Sequence, residues 1–175
     1  MTRQLRSTEL KRLHREWRRR SAHRLALVLD NVATPYNVGS ILRTAAAMRV
    51  DQVWLVGTSA LPSHERTRKT ALGAERYLTW SHAELPATAI EEAHARDYDV
   101  VGIELAEGAT PLPEAELGGD VCLVLGHEDR GLSAAGLDAC DRIAFIPQLG
   151  RIGSLNVATA AAIAIYEVRR PGFVP

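Results

Sequence analysis

Residues 25–57 read LALVLDNVATPYNVGSILRTAAAMRVDQVWLVG, and the hydrophobic pattern changes twice within them. Residues 25–30 (LALVLD) are apolar at nearly every position, the pattern of a strand covered on both faces. A turn carrying Pro35 follows. Residues 38–48 (VGSILRTAAAM) read as a helix, with Asn37 placed to cap its first turn. Residues 53–57 (VWLVG) return to a strand. A strand, a helix and a second apolar strand in this order form the unit from which parallel sheets are built.

The same alternation continues outward. Residues 77–80 suggest a short strand, 88–96 a helix, and 100–105 another strand. Residues 121–125 (VCLVL) form a nearly all-apolar strand, 143–146 one more short strand, and 154–169 a long Ala-rich helix. Two stretches read as loops: 58–70, where Arg66, Arg68 and Lys69 are bunched, and 107–120, rich in Gly, Pro and Glu. The expected fold is α/β, a mostly parallel sheet flanked by helices over residues 25–175, behind a basic arm at 1–24. No internal repeat or low-complexity tract interrupts it.

The chain has 175 residues, 46% apolar and 24% charged, which is enough to bury one core and excludes disorder throughout. No apolar run approaches the roughly 20 residues that span a bilayer. The N-terminus is too charged for the apolar centre of a signal peptide, so a cytoplasmic protein without a membrane partner is expected. Cys122 and Cys140 form no CxxC pair, which supports neither a disulfide framework nor a zinc ribbon. The formal net charge of zero conceals a division. Residues 1–24 hold nine basic and two acidic side chains, so the arm is at about +7 and the rest at about −7. Leu5, Leu10, Leu13 and Trp17 fall near helical spacing, which predicts a basic amphipathic helix ending about Arg20. Its exposed side chains, Arg15, Arg18 and Arg19 among them, suit contact with phosphates.

Common α/β motifs are missing. No GxGxxG follows the first strand, and there is no GxxxxGK[ST] or GxSxG. His127-Glu128 lacks the second His of HExxH, and His82-Ala83-Glu84 lacks the PCxxC half of a zinc deaminase. With 5% aromatics, an RNA-binding sheet built on stacking rings is unsupported.

Three polar, glycine-rich joints remain, each after a predicted strand, where open α/β sheets bind ligands. They are NVATPYNVGSILRT from Asn31, VLGHEDRGLS from Val124, and IPQLGRIGSLNV from Ile146. In this order and at these distances they resemble the motifs of the SpoU/TrmH family of RNA ribose methyltransferases, within the SPOUT superfamily. The resemblance covers roughly residues 25–170. Gln148, where the family often has Met, and Ala158-Thr159 are small departures that touch none of the polar positions.

The resemblance implies an S-adenosylmethionine-dependent enzyme, without a metal, that methylates a ribose 2′-hydroxyl of tRNA or rRNA. It implies a C-terminal deep trefoil knot, which pattern reasoning would not propose, and a homodimer formed through helices such as 154–169. Arg43 matches the family's catalytic arginine, and Asn37, Glu128, Ser154 and Asn156 match its other polar site positions. Leu105, Gly126, Ile146, Ser154 and Leu155 match the cofactor pocket. Glu128 is expected either to pair with Arg43 or to fix a loop. Arg66, Arg68 and Lys69 are candidates for RNA phosphates. The alternative is a catalytically silent RNA-binding module on the same fold, against which the retained polar residues argue.

Overall fold

A computed structural model describes residues 3–20 and 22–173. Residues 1, 2 and 21 of the expected arm, and 174–175 of the expected body, lie outside the described residues. Helix α1 (Ser7–Arg18) precedes β1 (Leu25–Asp30), α2 (Pro35–Ala47), β2 (Gln52–Val56), α3 (Glu65–Ala71) and β3 (Thr79–Ala83). Then come α4 (Pro86–His94), β4 (Asp99–Ile103), the short β5 (Thr110–Pro111), β6 (Val121–Leu125), α5 (Ala134–Ala139), β7 (Arg142–Phe145) and α6 (Val157–Arg169). The seven strands form one sheet in the order β3-β2-β1-β6-β4-β7-β5. Every pairing in it is parallel.

All six residues of β1 are buried because both faces of the sheet are covered. Leu25, Leu27 and Leu29 alternate toward a core shared with α2 and α6, including Ile41, Leu42 and Ile165. Ala26 and Val28 face a second core with Trp54 and residues of α4 such as Ile90. Trp54 satisfies its indole N–H on Glu92 of α4 at 2.8 Å. β6 is inserted between β1 and β4, which precedes it in sequence, so the strand order switches direction beside β1. Crevices at such points open at the C-terminal ends of the strands.

Several local expectations are corrected. Asn37 is not the N-cap of α2: Thr34 holds that position and Pro35 starts the helix, its fixed φ suiting the first turn. Residues 58–70 are not all loop, since Glu65–Ala71 is helical. It has no apolar stripe and is held by packing on α2. The 77–80 strand starts only at Thr79, after a 3₁₀ turn over Ala74–Tyr77. The last helix begins at Val157, and Asn156 is its N-cap, accepting from the N–H groups of Ala158 at 2.9 Å and Thr159 at 3.3 Å. The 107–120 loop contributes β5 at the sheet edge. Helix α5 is short and begins at a Ser133 cap.

Arm helix α1 buries none of its residues. Its C-terminal end meets the end of α6: Trp17 lies edge-on to Phe173 at 5.6 Å, and Phe173 lies 5.6 Å from Tyr166.

Candidate active site

The loops after β4, β6 and β7 surround a cleft of about 490 Å³ at the C-terminal edge of the sheet. Leu105, Gly126, Ile146, Ser154 and Leu155, the five residues matched to a cofactor pocket, all line it, and so does Glu128. Arg43, Asn37 and Asn156 do not.

The loop after β6 is a tight reversal. His127 and Gly131 exchange two main-chain hydrogen bonds, each at 2.9 Å. Gly131 takes φ +67°, and a Cβ there would lie 2.2 Å from Glu104 Oε2. A Cβ on Gly126 would lie 2.2 Å from main-chain atoms of both Gly131 and Leu132. The absence of side chains at these two positions is therefore what lets the loop fold over the strand end. Glu104, the first residue past β4, accepts from the N–H groups of Leu105 at 3.0 Å and Leu132 at 2.9 Å, tying two walls of the cleft together. Asp30, buried at the end of β1, accepts from the N–H and hydroxyl of Ser133 at 2.9 and 2.7 Å. Sequence reading missed both acids. Their one signal is position, as the polar residue at or just beyond the end of an apolar strand.

Glu128 joins the three motif stretches. Its carboxylate accepts from Thr34 N at 2.9 Å, Ala33 N at 3.3 Å and Asn37 Nδ2 at 2.9 Å. Asn37 Oδ1 then accepts from Asn156 Nδ2 at 3.0 Å. Of the two expected roles for Glu128, the structure shows the loop-fixing one. Arg43, exposed on α2, makes no hydrogen bond or ion pair with a described residue, so its pairing with Glu128 is corrected. The burial of Glu128 pushes its carboxyl up, but the Asn37 amide and the main-chain donors outweigh that and hold it at about 2. It is a fixed anion at neutral pH. Ser154 and Leu155 lie exposed in the segment leading to α6.

The thiols are unsuited to nucleophilic chemistry. Burial pushes Cys122 up and takes Cys140 to about 12, with Asp141 and Asp30 adding to the latter. Among the described residues, no group of three His, Cys, Asp or Glu side chains could hold a metal, and no helix is long and apolar enough to cross a membrane.

The basic candidates fall on two elements that do not line the cleft. Arg66, Arg68 and Lys69 are exposed on α3, with Lys69 bonded to Glu65 at 2.7 Å. Arg15 and Arg18 are exposed on α1 and Arg19 follows it, while the Arg18 carbonyl accepts from Arg49 at 3.3 Å.

Known proteins resemble this chain in sequence and in fold. RlmB of Acinetobacter baylyi, a 23S rRNA (guanosine-2′-O-)-methyltransferase, is 35% identical over 147 residues, 83% of this chain and 59% of that protein. The structure of a putative RNA methyltransferase of the TrmH family from Porphyromonas gingivalis superimposes with a TM-score of 0.77 at 32% identity, covering 86% of this chain and 61% of that one. The SpoU methyltransferase AviRb from Streptomyces viridochromogenes, in complex with AdoMet, gives 0.79 at 26% identity, covering 86% and 58%. The chain thus spans less than two thirds of the length of these relatives. Residues 24–166 match the model of the SpoU rRNA Methylase family, and the chain belongs to that family.

Proposed function

We propose that the protein transfers a methyl group from S-adenosylmethionine to a ribose 2′-hydroxyl of tRNA or rRNA. The observation that carries this reading is the Glu128–Asn37–Asn156 chain, which fastens the three motif stretches to one another at the rim of the cleft.

The cleft suits the cofactor. Its volume lies in the range of small-molecule sites. Glu104, Glu128 and Asp129 line it beside Arg130, and the excess of carboxylates complements a cationic sulfonium and ammonium. Gly126 lines the cleft without a side chain, so an adenine edge can approach the main chain there. Leu105, Gly126, Ile146, Ser154 and Leu155 would hold the molecule, which supplies an electrophilic methyl group when bound. Arg43 bonds the ribose hydroxyl and its neighbouring phosphate, stabilising charge that develops on the oxygen. A guanidinium is too weak an acid to be deprotonated near neutral pH, so the proton goes to phosphate or water. Ser154 stands at the cleft wall for a polar contact, while Asn37, Glu128 and Asn156 keep the walls in register.

Arg66, Arg68 and Lys69, with the arm at 1–24 carrying Arg15, Arg18 and Arg19, bind RNA phosphates. The C-terminal region forms a deep trefoil knot. Its support is that the segment after β7 walls the same cleft as the loops after β4 and β6 before α6 returns to pack on α2. The active form is a homodimer through α6, whose Ile163 and Tyr166 are exposed in the single chain. The dimer brings one arm to the partner's site.

Transfer of tritiated methyl groups to bulk tRNA and rRNA tests the proposal, with Arg43→Ala as control. The wild-type chain is expected to label one RNA class. The variant should bind the cofactor normally in calorimetry and lose about 10²–10³-fold in rate. Cofactor binding without transfer by the wild type would establish the silent RNA-binding alternative.

A further inference from the structure

The crossover from β2 to β3 carries features that neither the cleft nor the folding core uses. β2 and β3 are parallel, and Thr79 pairs with Gln52, so this segment descends from the cleft edge of the sheet to the opposite edge. That path is about 17 Å for a five-residue strand. α3 starts it and is seated on α2: a Cβ on Gly39 would lie 2.6 Å from Thr67 O and 2.7 Å from Thr70 Cβ. Leu72 and Gly73 then both take left-handed conformations, φ +53° and +83°, ending α3 and turning the chain into the 3₁₀ turn that bears Arg76 and Tyr77.

Three guanidinium groups on this path, those of Arg66, Arg68 and Arg76, make no hydrogen bond or ion pair with a described residue. Arg76 folds back toward α3, its Nη2 lying 2.7 Å from where a Cβ on Gly73 would be. Tyr77 comes next and is 84% exposed, its side chain without a ring partner or hydrogen bond among the described residues. Leu72 beside it is 68% exposed. The buried side-chain oxygens without a hydrogen-bond partner among the described residues, Thr67 Oγ1 and Glu75 Oε2, also belong to this segment.

We propose that Tyr77 is a stacking platform for an unpaired base of the RNA, and that Arg66, Arg68 and Arg76 lead the strand to it from the cleft. The inference rests on the reading of the protein as an RNA methyltransferase and adds how its substrate is held. Unpaired guanidinium groups recognise phosphates, and an exposed ring takes any base by its face. Together they fit a single strand; a duplex keeps its bases stacked and offers the ring nothing. The occupant is therefore single-stranded RNA several nucleotides from the methylated ribose.

Fluorescence anisotropy of the full chain with an end-labelled 12-nucleotide oligoadenylate, alone or annealed to its complement, tests this. The wild type should prefer the single strand. Tyr77→Ala should weaken that binding about 5- to 100-fold, and Tyr77→Trp should preserve it. Loss of the three arginines should lower the salt slope by up to about 2, at about 0.7 per phosphate. Cofactor affinity by calorimetry should be unchanged in each variant, which reports an intact fold. Wild-type binding without preference for the single strand, an unaffected Tyr77→Ala, or equal losses on both probes would overturn the inference. A protein that methylates RNA yet shows any of these retains the proposed function and loses only the platform. One that methylates no RNA loses the parent reading.

Discussion

Asn37 Nδ2 donates to Glu128 Oε1 at 2.9 Å, across 91 residues of sequence. The Asn37 amide is fixed in orientation because its Oδ1 simultaneously accepts from Asn156 at 3.0 Å. One side chain therefore reads both neighbouring motifs, donating to one and accepting from the other. Only a primary amide of this length does so, and the structure ties Asn37 to this task instead of to capping α2.

Asn37→Asp keeps the shape and replaces the donor with a second carboxylate facing Glu128. Two such groups at hydrogen-bond distance share a proton, and the apparent pKa of the pair rises. The variant should be markedly less stable than wild type at pH 7 and recover toward it near pH 4. Thermal melts across that range check this, and a constant difference between the proteins would refute it.

Glu128 itself sets an acid limit. Its carboxyl sits at about 2 in the folded protein against an ordinary 4.5. A group with a depressed folded pKa contributes stability that is complete above its unfolded pKa and lost as pH falls through the folded one. The contribution should therefore vanish between about pH 4.5 and pH 2. Glu128→Gln should remove that part of the pH dependence and cost about 1–3 kcal/mol at pH 7, from donors left poorly paired. Denaturant titrations at pH 7 and pH 3 measure both effects.

Gly126→Ala tests the reversal after β6. The added methyl meets main-chain atoms of Gly131 and Leu132 at 2.2 Å, and the paired His127–Gly131 backbone has no free direction in which to yield. The expected destabilisation is about 1–3 kcal/mol, accompanied by weaker cofactor binding because the cleft floor is displaced. Calorimetry that found full affinity would show that the cofactor does not depend on this reversal.

The layered part of the fold was legible because its signals are local. The apolar runs at Leu27 and Leu123 are strands wherever they lie, and Ala161 and Ile165 repeat at helical spacing. The missed helix α3 has polar residues at most positions, and it is helical because Gly39 lets it dock on α2. Asn37 resembles a cap only if Pro35 belongs to the turn, whereas proline also opens helices and does so here. Motif spacing grouped Asn37, Glu128 and Asn156, but it could not say which of them touch. That depends on β6 lying beside β1, a pairing between distant segments. Arg43 illustrates the remaining limit, since it is exposed on α2 and the partner proposed for it lies outside the chain.

The divided charge of the chain gives the last prediction. The body holds the root of the arm at residues 23–24 without help from α1. Arg169, buried at the end of α6, donates to the carbonyls of His23, Met48 and Arg49. Arg24 bonds to Asp120 at 2.7 Å and to the Arg96 carbonyl at 2.8 Å. α1 buries nothing and meets the body chiefly at Trp17 against Phe173. Deleting residues 1–20 should therefore lower Tm by only about 2–4 °C, the shift of roughly 1 kcal/mol in a domain of this size. RNA affinity should respond differently. Lys11, Arg12, Arg15, Arg18 and Arg19 have no ion pair with a described residue. Each phosphate they neutralise contributes about 0.7–0.9 to the dependence of log K on log salt. The truncated protein should lose about 2–4 from that slope, and its deficit in RNA binding should shrink as salt rises. A slope identical to the full chain would show that the basic arm does not ride on phosphates.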